Sequence, residues 1–205
     1  MPAIYGALIM ETQTRRQAYA DETREAILEA GHRLFSRQRF SGTSLEAIAK
    51  EANVTKGAVY HHFKDKRAVF SACFERQAKQ VSEVIAAVPQ QDDDWVYAFA
   101  QCRAFLDYVV GHGKHTMALQ EVITVLGWDT WRAIDCHYTM GNIERVVARL
   151  QDSGRMKPYS RELVVNMIYG LIVNAAMNLN SLPDAHQAHQ ELNGMLQDML
   201  NGLKL

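Results

Sequence analysis

The chain has 205 residues, is 48% apolar and 22% charged, and carries a net charge of −1. That balance is ordinary for a folded globular protein and excludes a disordered chain or a collagen-like repeat. Three widely spaced cysteines, Cys73, Cys102 and Cys136, form neither a disulfide framework nor a CxxC pair, which fits free thiols in a reducing cytoplasm.

The mean charge hides two unlike parts. Residues 11–80 hold 13 Lys and Arg against 9 Asp and Glu, whereas residues 81–205 hold 9 against 14. A phosphate backbone responds to local charge, so the first part remains a candidate for nucleic acid. Residues 1–10 are apolar, too short to span a membrane and without the charged start of a secretory signal. Polar sequence begins directly after Met10. Met10 is therefore the expected native start and residues 1–9 an upstream extension, a question that N-terminal mass spectrometry of natively expressed protein settles. Residues 1–20 as a whole are expected to be a flexible segment, with Arg15 and Arg16 as a basic arm.

An amphipathic helix follows, with Ile27, Ala30, Leu34 and Phe35 on one face. Gln38 to Gly42 connects it to a second helix, in which Leu45, Ile48, Ala49 and Ala52 recur at three- and four-residue steps. Thr43 is the expected cap of that helix, and Glu46 can reach back to close a capping box. Asn53 tolerates the left-handed conformation of a sharp turn, and Val54 can bury beneath it. Thr55 caps a third helix running through Phe63. Ile27, Leu34, Phe35, Leu45, Ile48, Val54, Val59 and Phe63 are the expected shared core. Helix, tight turn, helix is the geometry that lays a recognition helix in the DNA major groove.

The residues Gly42, Thr43, Ile48, Ala49, Val54, Gly57, Tyr60, Phe63 and Lys66 resemble, in order and spacing, the helix-turn-helix of the TetR family of transcriptional regulators. The resemblance covers roughly residues 20–75. Asn53 stands where that family usually has glycine. The rest of the chain is similar only in length and helical layout.

Asp65 can cap a fourth helix, about 65–88, whose Val69, Phe70, Cys73, Phe74 and Val81 face a core; without internal Gly or Pro, it suits a stiff connector. Asp92-Asp93-Asp94 suits the positive N-terminus of a fifth helix, 94–110. Gly111-His112-Gly113 interrupts it, helical character resumes at Met117–Leu126, and a long helix spans Trp128–Gln151. Ser160–Asn180 is so apolar that its whole circumference is expected to be buried in protein, with Asn166, Asn174 and Asn178 arguing against a membrane span. Leu182-Pro183-Asp184 turns the chain, with Asp184 a possible cap, into a last helix striped with Leu192, Met195, Leu196 and Met199.

The expected fold is all-α, with about nine helices: a helix-turn-helix domain at 21–67 and a C-terminal effector-binding and dimerisation domain at 68–205. Helix geometry puts Thr55, Lys56, Gly57, Tyr60 and His61 on the outward side of the third helix. Lys56 can donate to a guanine edge, while Thr43, Tyr60, His61 and Lys66 suit phosphates. The family's DNA-binding residues fall on the same positions. A recognition helix of two turns reads few base pairs, so a homodimer on a palindromic double-stranded operator is expected.

A dimer interface of two helices per subunit fits Ile168, Leu171, Ile172, Ala175, Leu179, Leu192, Met195, Leu196 and Met199, an arrangement that the resemblance also implies. Trp95, Phe99, Phe105, Tyr108, Trp128, Trp131, Tyr138 and Tyr169 concentrate aromatic surface in the C-terminal part. With Asn166, Asn174 and His137 as polar anchors they suit an apolar effector pocket, and an aromatic core is the alternative. The resemblance implies an effector site here, release from DNA through a tilt of the fourth helix, and repression as the default outcome.

His112-x-x-His115 and His186-x-x-His189 have helix-compatible spacing but no third ligand nearby, so no metal or other cofactor is expected. No phosphate-binding Gly-rich loop, nucleophile elbow or HExxH is present, and no enzymatic activity is expected. The competing readings are a metal- or redox-responsive regulator, a ligand-independent regulator with a packed C-terminal core, and a helix-turn-helix that binds protein. Salt dependence separates the last from a DNA binder.

Overall fold

The computed structural model describes the backbone of residues 2–112, 115–179 and 185–205, with side chains from Arg16 onward except at Ala185. Gly113, the Leu182-Pro183-Asp184 turn with its Asp184 cap, and the Arg15 side chain lie outside the described residues. The chain divides into two compact units, Met1–Phe74 and Glu75–Leu205.

The first unit contains α1 (Pro2–Gly42), α2 (Leu45–Glu51), α3 (Lys56–His62) and the first turns of α4 (Lys66–Ala86). Residues 16–20, expected within a flexible segment, instead continue α1. No proline interrupts them, and Gln17 Nε2 donates to Asp21 Oδ1 at 3.0 Å on the helix surface. Arg39 breaks α1 with φ 65°, so the chain turns there before reaching α2. Asn53, with φ 55°, makes the tight turn between α2 and α3.

Ile27, Phe35, Leu45, Ile48, Val59 and Phe63 are buried as expected, joined by Val69, Phe70, Cys73 and Phe74 of α4. Phe70 meets Phe35 and Phe40 edge-on, at centroid distances of 4.9 and 5.1 Å. Such pairs add to the stabilisation from burial. A Cβ on Gly31 would come within 3.0 Å of Cys73 Sγ, so glycine is what lets α4 approach α1. This packing is why the first unit reaches Phe74, past the boundary at 67/68 that the sequence suggested.

The second unit contains the rest of α4, then α5 (Asp94–His112), α6 (Leu119–Leu126), α7 (Trp128–Asp135), α8 (Gly141–Asp152), α9 (Arg161–Leu179) and α10 (Ala185–Asn201). The long helix expected at Trp128–Gln151 is α7 and α8 joined by a π-helical turn, Cys136–Met140. Gly127, at φ 78°, separates α6 from α7. Asp93 starts α5 by accepting the Trp95 backbone N–H at 2.7 Å, a bond that holds its carboxyl below the usual range. Among the described residues there is no strand, only an isolated antiparallel bridge between Met156 and Lys204.

Two apolar clusters form the core of this unit. One gathers Phe105, Leu106, Ile172, Leu179 and Leu196, and the other gathers Trp95, Val147, Leu150, Met156, Val165 and Leu200. The expectation that α9 is buried all round is corrected. Leu163 and Met167 are 65% and 74% exposed, and Gly170 and Asn174 continue that open face at helical spacing. Only the opposite face of α9 meets α5, α8 and α10. By length and composition alone α9 could cross a membrane, but its inner face is part of this core.

Removing the Phe70 ring leaves a void beneath both Phe35 and Phe40. Phe70→Ala is expected to destabilise the first unit by about 3–5 kcal/mol, read from the urea midpoint of its unfolding.

Candidate nucleic-acid interface

The recognition surface begins with two caps. Ser44 Oγ accepts the Ala47 N–H at 3.1 Å and starts α2, and Thr55 Oγ1 accepts the Ala58 N–H at 3.1 Å and starts α3. The expected cap of α2, Thr43, is corrected to its neighbour Ser44. Thr43 is only 2% exposed and its hydroxyl donates back to the Arg39 carbonyl at 2.8 Å. The capping box is corrected with it, because the Glu46 carboxylate pairs with Lys56 instead of the cap.

Beyond Thr55, the residues Lys56, Gly57, Tyr60 and His61 are all exposed, with Tyr60 at 50%. Val59 and Phe63 hold the opposite side of α3 in the core. The Lys56 ammonium lies 5.8 Å from the Tyr60 ring centroid. The Lys56–Glu46 pair holds the Lys56 ammonium above its ordinary range and the Glu46 carboxyl below. Both groups are therefore charged near neutral pH, and both stand in solvent, where the pair is easily exchanged for another partner. Gly57 brings no side chain between the backbone and an approaching surface, its nearest neighbour being Thr55 Oγ1 at 3.8 Å from a notional Cβ.

A groove runs between this surface and α1, lined by Arg16, Tyr19 and Thr23 on one side and by Asn53, Thr55, Gly57 and His61 on the other. The exposed Tyr19 was not selected from the sequence. Its only signal there was an aromatic residue in an otherwise polar segment.

Lys66 is placed differently from a phosphate ligand. Its Nζ donates to the Phe40 carbonyl at 2.8 Å and the Thr43 carbonyl at 2.9 Å, and lies 4.2 Å from the Phe40 centroid. It is a strut between the start of α4 and the α1–α2 connection. The phosphate role expected of Thr43 and Lys66 is therefore corrected to a supporting one.

The expected effector residues do not form one pocket. Trp95 and Phe105 line an enclosed cavity of about 60 Å³ between α5, α8 and α9, with Ile85, Gln101, Cys102, Thr139, Asn142, Met156 and Ile172 among its other walls. Trp128, Trp131, Asn166, Tyr169 and Asn174 instead surround a separate surface depression between α7 and α9. Phe99 lines a polar groove between α5 and α10. Tyr108 stacks on His112, and Tyr138 donates to Glu75 Oε1 at 3.1 Å. The exposed His137 stands outside the cavity wall.

Of the expected interface residues, Ile172, Ala175, Leu179 and Leu196 belong to the core of the chain itself, a correction that follows from the one-sided burial of α9 and α10. Ile168, Leu171 and Leu192 are partly buried against the same core, whereas Met195 and Met199 are exposed.

The histidine pairs have other partners. His112 Nδ1 lies 3.1 Å from the Tyr108 carbonyl, and His189 Nε2 lies 2.8 Å from Asp107 Oδ1. Burial pushes the Cys102 thiol up to about 11, and it also raises Cys136, so neither is a ready thiolate near neutral pH.

Residues 27–73 match the profile of bacterial regulatory proteins of the tetR family, and residues 95–203 match that of a tetracyclin repressor-like C-terminal domain. The TetC protein of transposon Tn10 from Escherichia coli is 25% identical over 195 residues, spanning 95% of this chain and 99% of that one. The HTH-type transcriptional regulator AcrR of Shigella flexneri is 47% identical over 75 residues, which are 37% of this chain and 34% of AcrR. Among solved structures, a TetR-family transcriptional regulator from Pectobacterium atrosepticum superimposes with a TM-score of 0.77 at 26% identity, covering 92% of this chain and 97% of that one.

Two substitutions separate reading from support. Lys56→Ala is expected to weaken binding to a specific site about tenfold or more and to relax base choice at one position per half-site, measured by competition among sequence variants. Lys66→Met is expected to lower the stability of the first unit by about 2 kcal/mol, because two hydrogen bonds from a charged donor are lost. A stable Lys66→Met protein with uniformly weakened DNA binding would restore the phosphate role.

Proposed function

The chain belongs to the TetR family of transcriptional regulators, and from that premise we propose that it binds a palindromic operator in double-stranded DNA as a homodimer, represses there, and is released by a small apolar or aromatic effector. The observation that carries the DNA-binding half is the exposed row of Thr55, Lys56, Gly57, Tyr60 and His61 on a short helix whose other side is locked into a core. As a member of a family of regulators it is given no catalytic role, and its place of action is the cytoplasm, where the operator is.

One α3 has seven residues, so a single copy offers only a few base contacts. Two copies related by a twofold axis supply the rest of the affinity. The face for that pairing is Leu163, Met167, Gly170 and Asn174 of α9 with Met195 and Met199 of α10. Exposed apolar side chains at helical spacing on two neighbouring helices suit a self-complementary helical interface.

The effector half rests on the enclosed cavity. Its about 60 Å³ is well short of the ~150 Å³ cavity that accepts benzene in a protein core. An effector of that size therefore needs a more open arrangement of α5, α8 and α9. A ligand that binds only the open form shifts the population toward it, which is the differential affinity that release requires. Ile85 of α4 lines the cavity, while Phe70 and Phe74 near the other end of that helix belong to the core of the first unit. This supports α4 as the route by which an opened cavity changes DNA affinity.

Selection of binding sites from random DNA tests the proposal. The expected result is two inverted half-sites, with binding that falls steeply as salt rises. Met167→Glu places a charge on each side of the pairing face. It is expected to yield monomers in sedimentation and to reduce the selected site to one half. A palindrome bound equally well by a monomeric Met167→Glu protein would overturn the pairing, and salt-independent binding would overturn the phosphate contacts.

A further inference from the structure

The enclosed cavity carries an inference about its ligand, which rests on the reading of that cavity as the effector site. No charged side chain lines it among the described residues. A charged ligand would lose its hydration without gaining a counter-charge, which is strongly unfavourable. The wall has three polar side chains: Gln101, Thr139 and Asn142. Two have given their amides to other protein groups. Gln101 Nε2 donates to the Tyr97 hydroxyl at 3.0 Å and the Ile85 carbonyl at 3.5 Å. Asn142 Nδ2 donates to Ser82 Oγ at 3.5 Å, and its Oδ1 accepts from Arg145.

Thr139 differs from both. It is 6% exposed, yet its hydroxyl makes no hydrogen bond to any described residue. A helical threonine usually turns its hydroxyl to the carbonyl one turn earlier. Thr139 sits instead in the π-helical turn Cys136–Met140, whose wider winding alters that local geometry. A buried hydroxyl without a partner is unfavourable, and a ligand that supplies one removes the penalty.

We infer that Thr139 is the hydrogen-bonding anchor of this cavity, and that its ligand is a small uncharged molecule with an apolar body and a single hydroxyl or carbonyl group. The π turn between α7 and α8 is then a specificity device: it withholds the hydroxyl from the backbone and presents it to the cavity. The narrow apolar wall selects the body of the ligand, and Thr139 selects its one polar atom.

The test uses the full-length protein with three probes: phenol, toluene and benzoate. Phenol and toluene have nearly the same shape and differ by a hydroxyl for a methyl, while benzoate adds charge. Binding is measured by titration and located through the methyl resonance of Met156, which lines the cavity. Phenol and toluene are expected to shift Met156 and benzoate is not.

Thr139→Val keeps the side-chain shape and removes the hydroxyl. The preference for phenol over toluene is expected to fall about 3- to 10-fold in this variant, the range of one neutral hydrogen bond. The ligand-free variant is also expected to unfold at the same or a higher temperature, since no hydrogen bond is lost. An unchanged preference, with both probes still shifting Met156, would overturn Thr139 as anchor while leaving the cavity as a ligand site. Benzoate binding as tightly as phenol would overturn the uncharged class. Failure of phenol and toluene to shift Met156 in either protein would overturn the cavity reading, and the role of Thr139 with it.

Discussion

The structure depends on holding a helix that is too short to hold itself. Seven residues of α3 make barely two turns, and a helix of that length is not stable in water alone. What fixes it is a platform built from three directions. Val59 and Phe63 enter the core, Asn53 sets the approach angle at φ 55°, and Thr55 satisfies the Ala58 N–H. Lys66 then closes the platform from beyond α3 by bonding to the carbonyls of Phe40 and Thr43. The exposed row from Thr55 to His61 is thereby presented in one orientation before any partner arrives. Such preorganisation reduces the ordering cost of association.

The same economy explains why Lys56 and Lys66, ten residues apart and chemically alike, have opposite duties. Lys66 has its hydrogen bonds to two backbone carbonyls and the face of Phe40. Lys56 is held only by Glu46 across solvent, a pair of little net stability that leaves the ammonium free to exchange. A carboxylate beside a DNA-reading lysine weakens non-specific attraction to phosphates. It is lost as a partner only when something better is offered, which favours discrimination over bulk affinity.

Much of the first unit was legible in the sequence because its signals are local. The apolar spacing of Leu45, Ile48 and Ala49 marks a helix face, Asn53 marks the turn, and Thr55 sits where a cap is needed. The choice between Thr43 and Ser44 was not legible. Adjacent hydroxyls have the same chemistry, and only the break at Arg39 decides which faces inward. Lys66 was misread for a different reason, since its two acceptors lie 26 and 23 residues earlier in the chain. In the second unit the difficulty was rotational phase. α9 is apolar nearly all round, so its sequence has no stripe to show which side is open. Leu163 and Met167 look no different from Ile172 and Leu179 until α5, α8 and α10 are in place.

Aromatic composition was an equally poor guide to the cavity, and the physical reason bears on how the protein works. Large rings fill space, so most of them close voids: Trp131 is fully buried, and Tyr169 bonds to Asp135 at the surface depression. The enclosed cavity lies where two apolar clusters meet without merging, with Phe105 and Ile172 from one and Trp95, Leu150 and Met156 from the other. A gap between two well-packed clusters is a place where a core can open without breaking either. Motion there separates α5 from α8 and α9 as intact bodies, which is far less costly than disrupting a single continuous core. The site of ligand entry and the site of conformational freedom are then the same seam, and the fold needs no separate device to couple them.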